Sequence, residues 1–171
     1  MKIPIYQVDA FTSNIFEGNP AAVCPLKEWI NENIMQNIAQ ENNLSETAFF
    51  VRRDNDFEIR WFTPLAELDL AGHPTLASAH IILKELSIDL DKLIFRTKIN
   101  DTLNVTHNDN TYLMDFPSRE PEIDNNIDQI TEALGSKPKE LYRHRDAVAV
   151  FDTEEEVKSI YPNMEKLKNL E

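Results

Sequence analysis

Glycine is scarce in this sequence of 171 residues, which contains only Gly18, Gly72 and Gly135. At an average glycine content of about 7%, a chain of this length would hold roughly 12. Because glycine allows positive φ angles and close approach to the backbone, the few that are present are candidates for special positions. Two of them share a local pattern, since Gly18 opens Gly-Asn-Pro and Gly72 opens Gly-His-Pro.

Basic charge and long apolar runs are also lacking. Seventeen Lys and Arg face 30 Asp and Glu, which gives a formal charge of −13 and argues against a general binder of nucleic acid or anionic membranes. No apolar run approaches the roughly 18 residues of a membrane span, and the N-terminus lacks the apolar segment of a signal peptide. Cys24 is the one cysteine, so no internal disulfide is expected. We therefore predict an acidic, cytoplasmic protein with no nucleic-acid or membrane partner.

The hydrophobic share of 42% and the charged share of 27% are typical of a folded chain. Apolar residues spaced at i, i+4 and i+8 predict a helix over 27–40, with Ile30, Ile34 and Ile38 facing the core. Residues 74–86 are apolar around most of a helical circumference, which predicts a helix buried on nearly all sides.

Alternating and continuous apolar runs predict the strands of this α+β fold. The expected strands are 3–11, 21–26, a hairpin of 47–53 with 57–62, and three strands at 93–98, 102–106 and 112–116, with turns at Asn100–Asp101 and Asn108–Asn110. Together these patterns predict a mainly antiparallel sheet around one central, buried helix.

The chain divides near a proline-rich linker at 117–121, which predicts a first lobe at 1–118 and a second segment at 119–171. The second segment has a helix at 127–134 ended by Gly135, one clear strand at 147–151, and a capping box that begins at Thr153. A lone strand cannot make a sheet, and so short a segment struggles to build its own core. We expect the second segment to be the start of an incomplete second lobe.

Glu46 is the first candidate for chemistry, because it lies where a helix gives way to an apolar strand. In one interpretation it is an ordinary solvated carboxylate, as most glutamates are. In the other it is a carboxylate held against an apolar wall, which suits it to proton transfer. Position alone favours the first interpretation.

The segment Gly72-His73-Pro74-Thr75 is the second candidate, at the start of the predicted buried helix. Its free backbone N–H groups and the positive end of the helix dipole suit an anion, whereas the alternative is an ordinary helix start. His80 lies seven residues after His73, which is not the i, i+4 spacing of zinc proteases, and is interpreted as a core histidine. No metal site is predicted, and Cys24 is interpreted as a buried structural thiol.

Several motifs in sequence resemble one family. They are Val8-Asp9-Ala10-Phe11, Phe16-Glu17-Gly18-Asn19-Pro20-Ala21-Ala22-Val23, Asn43-Leu44-Ser45-Glu46-Thr47-Ala48-Phe49, Arg60-Trp61-Phe62-Thr63-Pro64, and Glu67-Leu68-Asp69-Leu70-Ala71-Gly72-His73-Pro74-Thr75-Leu76-Ala77. Together they strongly resemble the phenazine-biosynthesis isomerase (PhzF-like) family, over residues 3–116 most distinctly and more weakly to the end.

The resemblance implies a diaminopimelate-epimerase-like fold of two lobes, each a curled sheet around a central helix, with the active site between them. The best-known member isomerises a dihydro-hydroxyanthranilate by moving a proton, without cofactor or metal. The resemblance makes Glu46 the acid/base, and Gly72 and His73 the groups that bind a small carboxylate-bearing substrate, with Asn19 as a further contributor to the pocket. The two-thiol mechanism of the related epimerases is disfavoured, because Gly72 stands where the first thiol would be.

Family members also supply an Asp and a Gly-Ser segment from the second lobe, and nothing in residues 119–171 matches that motif. We therefore expect a truncated chain, or one piece of a split protein, in which the closing strand of the first lobe is also missing. Two hypotheses follow: a cofactor-independent isomerase, or an inactive lobe that binds a small carboxylate or a protein partner. Apolar surface left open by the incomplete lobe would favour a homodimer.

Overall fold

The computed structural model describes residues 1–99, 101–108 and 111–170, and these form two compact units at 1–117 and 118–171. The turns expected at Asn100 and at Asp109–Asn110 lie outside the described residues. That the second unit begins an incomplete lobe stays a prediction.

The first unit is built on an eight-stranded mixed sheet, counted over its described residues. The strands are β1 Tyr6–Ala10, β2 Asn19–Leu26, β3 Glu46–Arg53, β4 Asp56–Phe62, β5 Glu67–Leu68, β6 Lys92–Arg96, β7 Thr102–Asn108 and β8 Thr111–Asp115. Their order is β1-β2-β3-β4-β6-β7-β8, with β5 paired to β4. The β2–β3 and β4–β6 pairs are parallel and the others antiparallel, so the expected mainly antiparallel sheet of an α+β fold is confirmed.

Each parallel pair requires a crossover, because antiparallel neighbours alone can be joined by a tight turn. Helix α1, Glu32–Asn42, connects β2 to β3. Helix α2, Gly72–His80, and a π-helical turn at Ile81–Glu85 connect β4 to β6. One core cluster joins α2 and the π-helical turn to strands β2, β3, β4, β6 and β7, so the sheet curls around this helix as predicted.

The helix predicted at 27–40 begins later, at Glu32, because the Asn31 side chain caps it by accepting a hydrogen bond from the Asn33 N–H. The predicted core stripe is also wrong in part. Met35 and Ala39 are buried, whereas Ile34 is 40% exposed. The buried face of α1 is centred on Met35 and Ala39, with Ile38 packed against the same cluster, and Ile34 lies beside this face.

The buried helix predicted at 74–86 is present, but it is not α-helical throughout. It is α-helical only to His80, and the Leu86 N–H then bonds the Ile81 carbonyl, five residues back. The apolar pair Ile81 and Ile82 is fully buried in this wider turn. Two polar residues of α2, Thr75 and Ser78, are also buried, and each hydroxyl donates to the carbonyl four residues earlier.

The second unit contains three strands where the sequence predicted one. They are β9 Glu122–Ile123, β10 Glu140–Arg143 and β11 Ala147–Val150, in an antiparallel sheet of order β11-β10-β9. Strand β9 has only two residues, and β10 has a charged residue at each end, so neither shows the continuous apolar run that marks β11. Helices α3 Ile127–Leu134, α4 Glu154–Ser159 and α5 Met164–Lys168 complete this unit. The Gly135 cap, at φ 70°, and the capping box of Thr153 with Glu156 are both confirmed.

Cys24 lies in the core of the first unit with no exposed surface, which agrees with the structural thiol expected. Burial raises the pKa of its thiol to about 12, so the reactive thiolate is disfavoured. We expect the native chain to react very slowly with a disulfide reagent such as dithiobis-nitrobenzoate, and one thiol to appear after denaturation in guanidinium. Rapid reaction of the native chain would contradict the burial of this strand.

Candidate active site

Three segments that are distant in sequence meet in the first unit. The parallel pairing of β2 with β3 places Ala21 opposite Glu46, so Asn19 and Pro20 at the start of β2 are neighbours of Ser45, which directly precedes β3. The third segment is the start of α2, where the His73 ring reaches both Ser45 and Glu46. The two crossovers of the sheet therefore assemble one cluster of polar groups.

Glu46 is the first residue of β3, and its side chain is 18% exposed. Its Oε2 atom is buried and lies 3.1 Å from His73 Nε2, close enough for an ion pair. The direction of approach, however, does not form a hydrogen bond, and no other group in the described residues donates to this oxygen. Glu46 Oε2 is therefore a buried acceptor without a donor. An unsatisfied buried acceptor destabilises the fold unless a ligand donates a hydrogen bond to it or the carboxylate takes up a proton.

Ser45 connects the other members of the cluster. Its Oγ lies 3.2 Å from Asn19 Oδ1, 3.2 Å from the Pro20 carbonyl oxygen and 3.3 Å from His73 Nε2. Unlike the Glu46 contact, the contact with His73 has hydrogen-bond geometry. The Ser45 hydroxyl thus lies between two carbonyl-type acceptors and the imidazole.

Helix α2 begins with backbone donors that no side chain caps. Ala71 holds the N-cap position in an extended conformation and makes no side-chain cap bond. The backbone N–H groups of Gly72 and His73 have no acceptor within the helix, and Pro74 carries no N–H at all. Gly72 is exposed, and a Cβ atom placed there would meet nothing within 4 Å. An anion can therefore approach these two donors and the positive end of the helix dipole.

The His73 side chain is 10% exposed, and burial lowers its pKa below the usual value of 6.5. The Glu46 carboxylate and the Pro20 carbonyl act in the opposite direction, but burial is the largest cause. The imidazole is therefore mainly neutral at pH 7 and serves as a hydrogen-bonding group rather than a fixed positive charge.

This pKa also gives the chain a pH-dependent stability. Unfolded chains take up the His73 proton near pH 6.5, whereas the folded chain resists it, so the free energy of unfolding should fall as pH drops below about 6.5. Urea titrations at about pH 7.5 and about pH 5.5 would measure this loss, and His73→Gln should reduce it. An identical pH slope in wild type and His73→Gln would show that His73 is not responsible.

A cavity of about 640 Å³ lies elsewhere in this unit, between β1, α2 and β8. It is lined in part by Val8, Ala77, His80 and Tyr112 and includes neither Glu46 nor His73. His80, predicted to be a core histidine, is half-buried there, and its Nδ1 lies 3.0 Å from the Tyr112 hydroxyl. We take the cluster rather than this cavity as the candidate site, because the cluster combines an unbonded carboxylate oxygen with the uncapped start of α2.

The charged residues of the fourth and fifth motifs stabilise the sheet. Arg60 Nε donates to Glu67 Oε1 at 2.6 Å, and Glu67 also accepts from Lys98 at 2.7 Å. The Arg60 guanidinium packs over the rings of Trp29 and Phe62 at 5.7 and 5.3 Å. This network ties β4 to β5, and none of the contacts named here involves the Glu46 cluster.

All four residues predicted from the sequence as site residues lie in one place. Glu46 and His73 are in contact, Gly72 precedes His73, and Asn19 reaches them through Ser45. Their roles stay predictions. Ser45 was missed as a site residue, although it stands beside Glu46 in the motif.

The described residues contain neither a cluster of metal ligands nor a membrane-spanning helix. In them, no three His, Cys, Asp or Glu side chains come together as metal ligands would. Over the same residues, no helix has both the length and the apolar character needed to cross a membrane.

Comparison with known proteins identifies similar chains. The sequence profile of the family described as phenazine biosynthesis-like protein (PhzC-PhzF) matches residues 8–171. A Pseudomonas aeruginosa protein described as an uncharacterized isomerase is 44% identical over 170 residues, which are 99% of this chain and 65% of that relative. The chain thus spans about two thirds of the length of such curated relatives.

Solved structures support the same grouping. The crystal structure of a PhzF-family phenazine biosynthesis protein from Enterococcus faecalis has a TM-score of 0.89 and 44% identity, over 100% of this chain and 65% of that one. A predicted epimerase from Pseudomonas aeruginosa has a TM-score of 0.74 at 20% identity, over 99% of this chain and 67% of that one, which is evidence for the fold alone. The expected epimerase-like fold is therefore confirmed.

Proposed function

Because this chain belongs to the phenazine biosynthesis-like (PhzC-PhzF) family, we propose that it functions as a cofactor-independent isomerase. The reaction proposed is the movement of a proton on a small carboxylate-bearing substrate. The observation that carries the proposal is the buried Glu46 Oε2, which no described group bonds and which lies beside the open start of α2. A base next to an anion-binding helix end is the arrangement that proton abstraction near a carboxylate needs.

In this mechanism the substrate carboxylate accepts hydrogen bonds from the backbone N–H groups of Gly72 and His73. The free Glu46 Oε2 takes a proton from carbon and returns it to another carbon of the same molecule. The backbone N–H groups of Gly72 and His73 stabilise the negative charge that develops while the proton is on Glu46, because they lie at the positive end of the helix dipole. Asn19 holds Ser45 by accepting a hydrogen bond from its hydroxyl.

The alternative function is binding without turnover. About a third of the length of the curated relatives lies outside their alignment with this chain. The family resemblance implies that an Asp and a Gly-Ser segment of a second lobe complete the catalytic groups. In the alternative, these residues hold a carboxylate and do not exchange its proton.

Solvent deuterium incorporation tests the two functions. The purified chain is incubated in D₂O with a dihydro-hydroxyanthranilate, and deuterium on carbon is followed by NMR while binding is measured by calorimetry. The isomerase proposal expects incorporation. Binding without incorporation would overturn it in favour of the binding function, and absence of both would reject this substrate class.

We also propose that a second copy of the chain is a partner. The loop between β1 and β2 exposes three large apolar residues, Phe11, Ile15 and Phe16, to 70%, 78% and 95%. Apolar groups exposed so close together are typical of interfaces. Light scattering after size-exclusion chromatography should give the mass of a dimer, and a strictly monomeric chain at high concentration would contradict this proposal.

A further inference from the structure

The Ser45 hydroxyl has one proton and three close neighbours. Two of them, the Pro20 carbonyl oxygen and Asn19 Oδ1, can only accept a hydrogen bond. The third, His73 Nε2, can donate or accept according to the tautomer of the ring.

These neighbours restrict the arrangement of protons. If Ser45 donated to His73 Nε2, both carbonyl-type oxygens would face its lone pairs at 3.2 Å with no proton between them. If Ser45 donates to one of these oxygens, its lone pairs are free to accept the N–H of His73. The second arrangement satisfies more groups, and it places the proton of a neutral His73 on Nε2.

The direction of this N–H also bears on Glu46. Nε2 is nearer to Glu46 Oε2, at 3.1 Å, than to Ser45 Oγ, at 3.3 Å, yet of these two oxygens it is the serine oxygen that lies in the direction of a ring hydrogen bond. The serine oxygen thus accepts the hydrogen bond from His73 that would otherwise go to the carboxylate and weaken it as a base.

We propose that Ser45 is a positioning residue, which holds His73 as the Nε2–H tautomer, turned to the serine, and so keeps Glu46 Oε2 free to accept a proton. This inference rests on the proposed function for its consequence in catalysis, but the tautomer and its dependence on Ser45 are properties of the chain alone. Ser45 would act through His73 and Glu46 and would not itself touch the reacting atoms.

The first test is the nitrogen chemical shifts of His73 in the ¹⁵N-labelled chain near neutral pH, assigned by their loss in His73→Gln. We expect a protonated Nε2 and an unprotonated Nδ1 in wild type. In Ser45→Ala the two shifts should move toward each other as the tautomers mix, and Ser45→Thr, which restores the hydroxyl, should return them. A protonated Nδ1 in wild type, or unchanged shifts in Ser45→Ala, would overturn the proposal.

Two controls separate this effect from general damage. Ser13→Ala removes another exposed serine hydroxyl, outside the cluster, and should leave the His73 shifts unchanged. Because Ser45 is exposed, Ser45→Ala should fold, and circular dichroism with tryptophan fluorescence would check this. A shift change in Ser13→Ala equal to that in Ser45→Ala would also refute a specific role.

The second test is the rate of deuterium incorporation into a dihydro-hydroxyanthranilate. We expect Ser45→Ala to lower kcat by about tenfold, the effect of one charge-assisted hydrogen bond on the base, with little change in KM. If wild type shows the expected tautomer but neither wild type nor any variant exchanges protons, the proposed role of Glu46 as a base is refuted. The positioning of His73 by Ser45 is then still supported. If Ser45→Ala exchanges as fast as wild type, the catalytic part of this proposal fails instead.

Discussion

Glu46→Gln should abolish proton exchange in any form of the protein that turns over substrate. Glutamine matches glutamate in size, but its amide cannot take a proton from carbon, so the substitution removes the base and keeps the volume. Positioned general bases contribute about 10²–10⁴-fold to rate, and we expect a loss in that range. The measurement is deuterium incorporation from D₂O, with binding followed in parallel by calorimetry.

Binding separates this outcome from misfolding. The carboxylate of the substrate is proposed to contact the backbone of Gly72 and His73, so Glu46→Gln should retain binding within a few-fold. Glu41→Gln, an exposed carboxylate of α1, is the matched control and should exchange protons as wild type does. Exchange by Glu46→Gln at the wild-type rate would remove Glu46 from the mechanism.

Gly18→Ala should cost the first unit much of its stability. Gly18 has φ +81°, which costs a residue with a side chain about 1–2 kcal/mol. In addition, the new Cβ would overlap the Ala10 carbonyl oxygen and lie 2.7 Å from Thr12 Cγ2, so the backbone must move. Overpacking of this kind adds typically 1–3 kcal/mol, and we expect a loss of about 2–5 kcal/mol in the free energy of unfolding.

Tryptophan fluorescence during urea unfolding measures this loss in the first unit alone, because both tryptophans, Trp29 and Trp61, lie there. Gly72→Ala is the matched control in the same unit. Its Cβ would meet nothing within 4 Å and its φ is not positive, so its unfolding midpoint should stay close to that of wild type. Equal midpoints for Gly18→Ala and wild type would contradict the geometry of the β1–β2 connection.

Local patterns and motifs predicted most of the helices and strands of the first unit. The alternation of Phe57, Ile59 and Trp61 with Glu58 and Arg60 predicted a half-buried strand, and all three apolar residues are buried in β4. The π-helical turn was missed because one hydrogen bond over five residues, from the Leu86 N–H to the Ile81 carbonyl, leaves the apolar pattern of a buried helix unchanged. Strands β9 and β10 of the second unit were missed because they lack the apolar run of β11: β9 has two residues, and β10 begins and ends with a charged residue.

The residues of the cluster could be predicted from the sequence, but the contacts between them could not. The resemblance selected Glu46, Gly72, His73 and Asn19, which lie together, although nothing in their spacing gives a distance. Ser45 was overlooked because adjacent residues of a strand point to opposite faces. It precedes β3, however, and its side chain turns to the same neighbours as Glu46 because the strand geometry begins only at residue 46.

The parallel register of β2 with β3 has a further consequence for how the chain folds. Asn19, Glu46 and His73 belong to three segments that are joined only after both crossovers, through α1 and through α2, have docked on the sheet. Contacts of such sequence separation form late, since each requires a long loop to close. Ligand binding at this cluster would therefore report that β2, β3 and the start of α2 have come together.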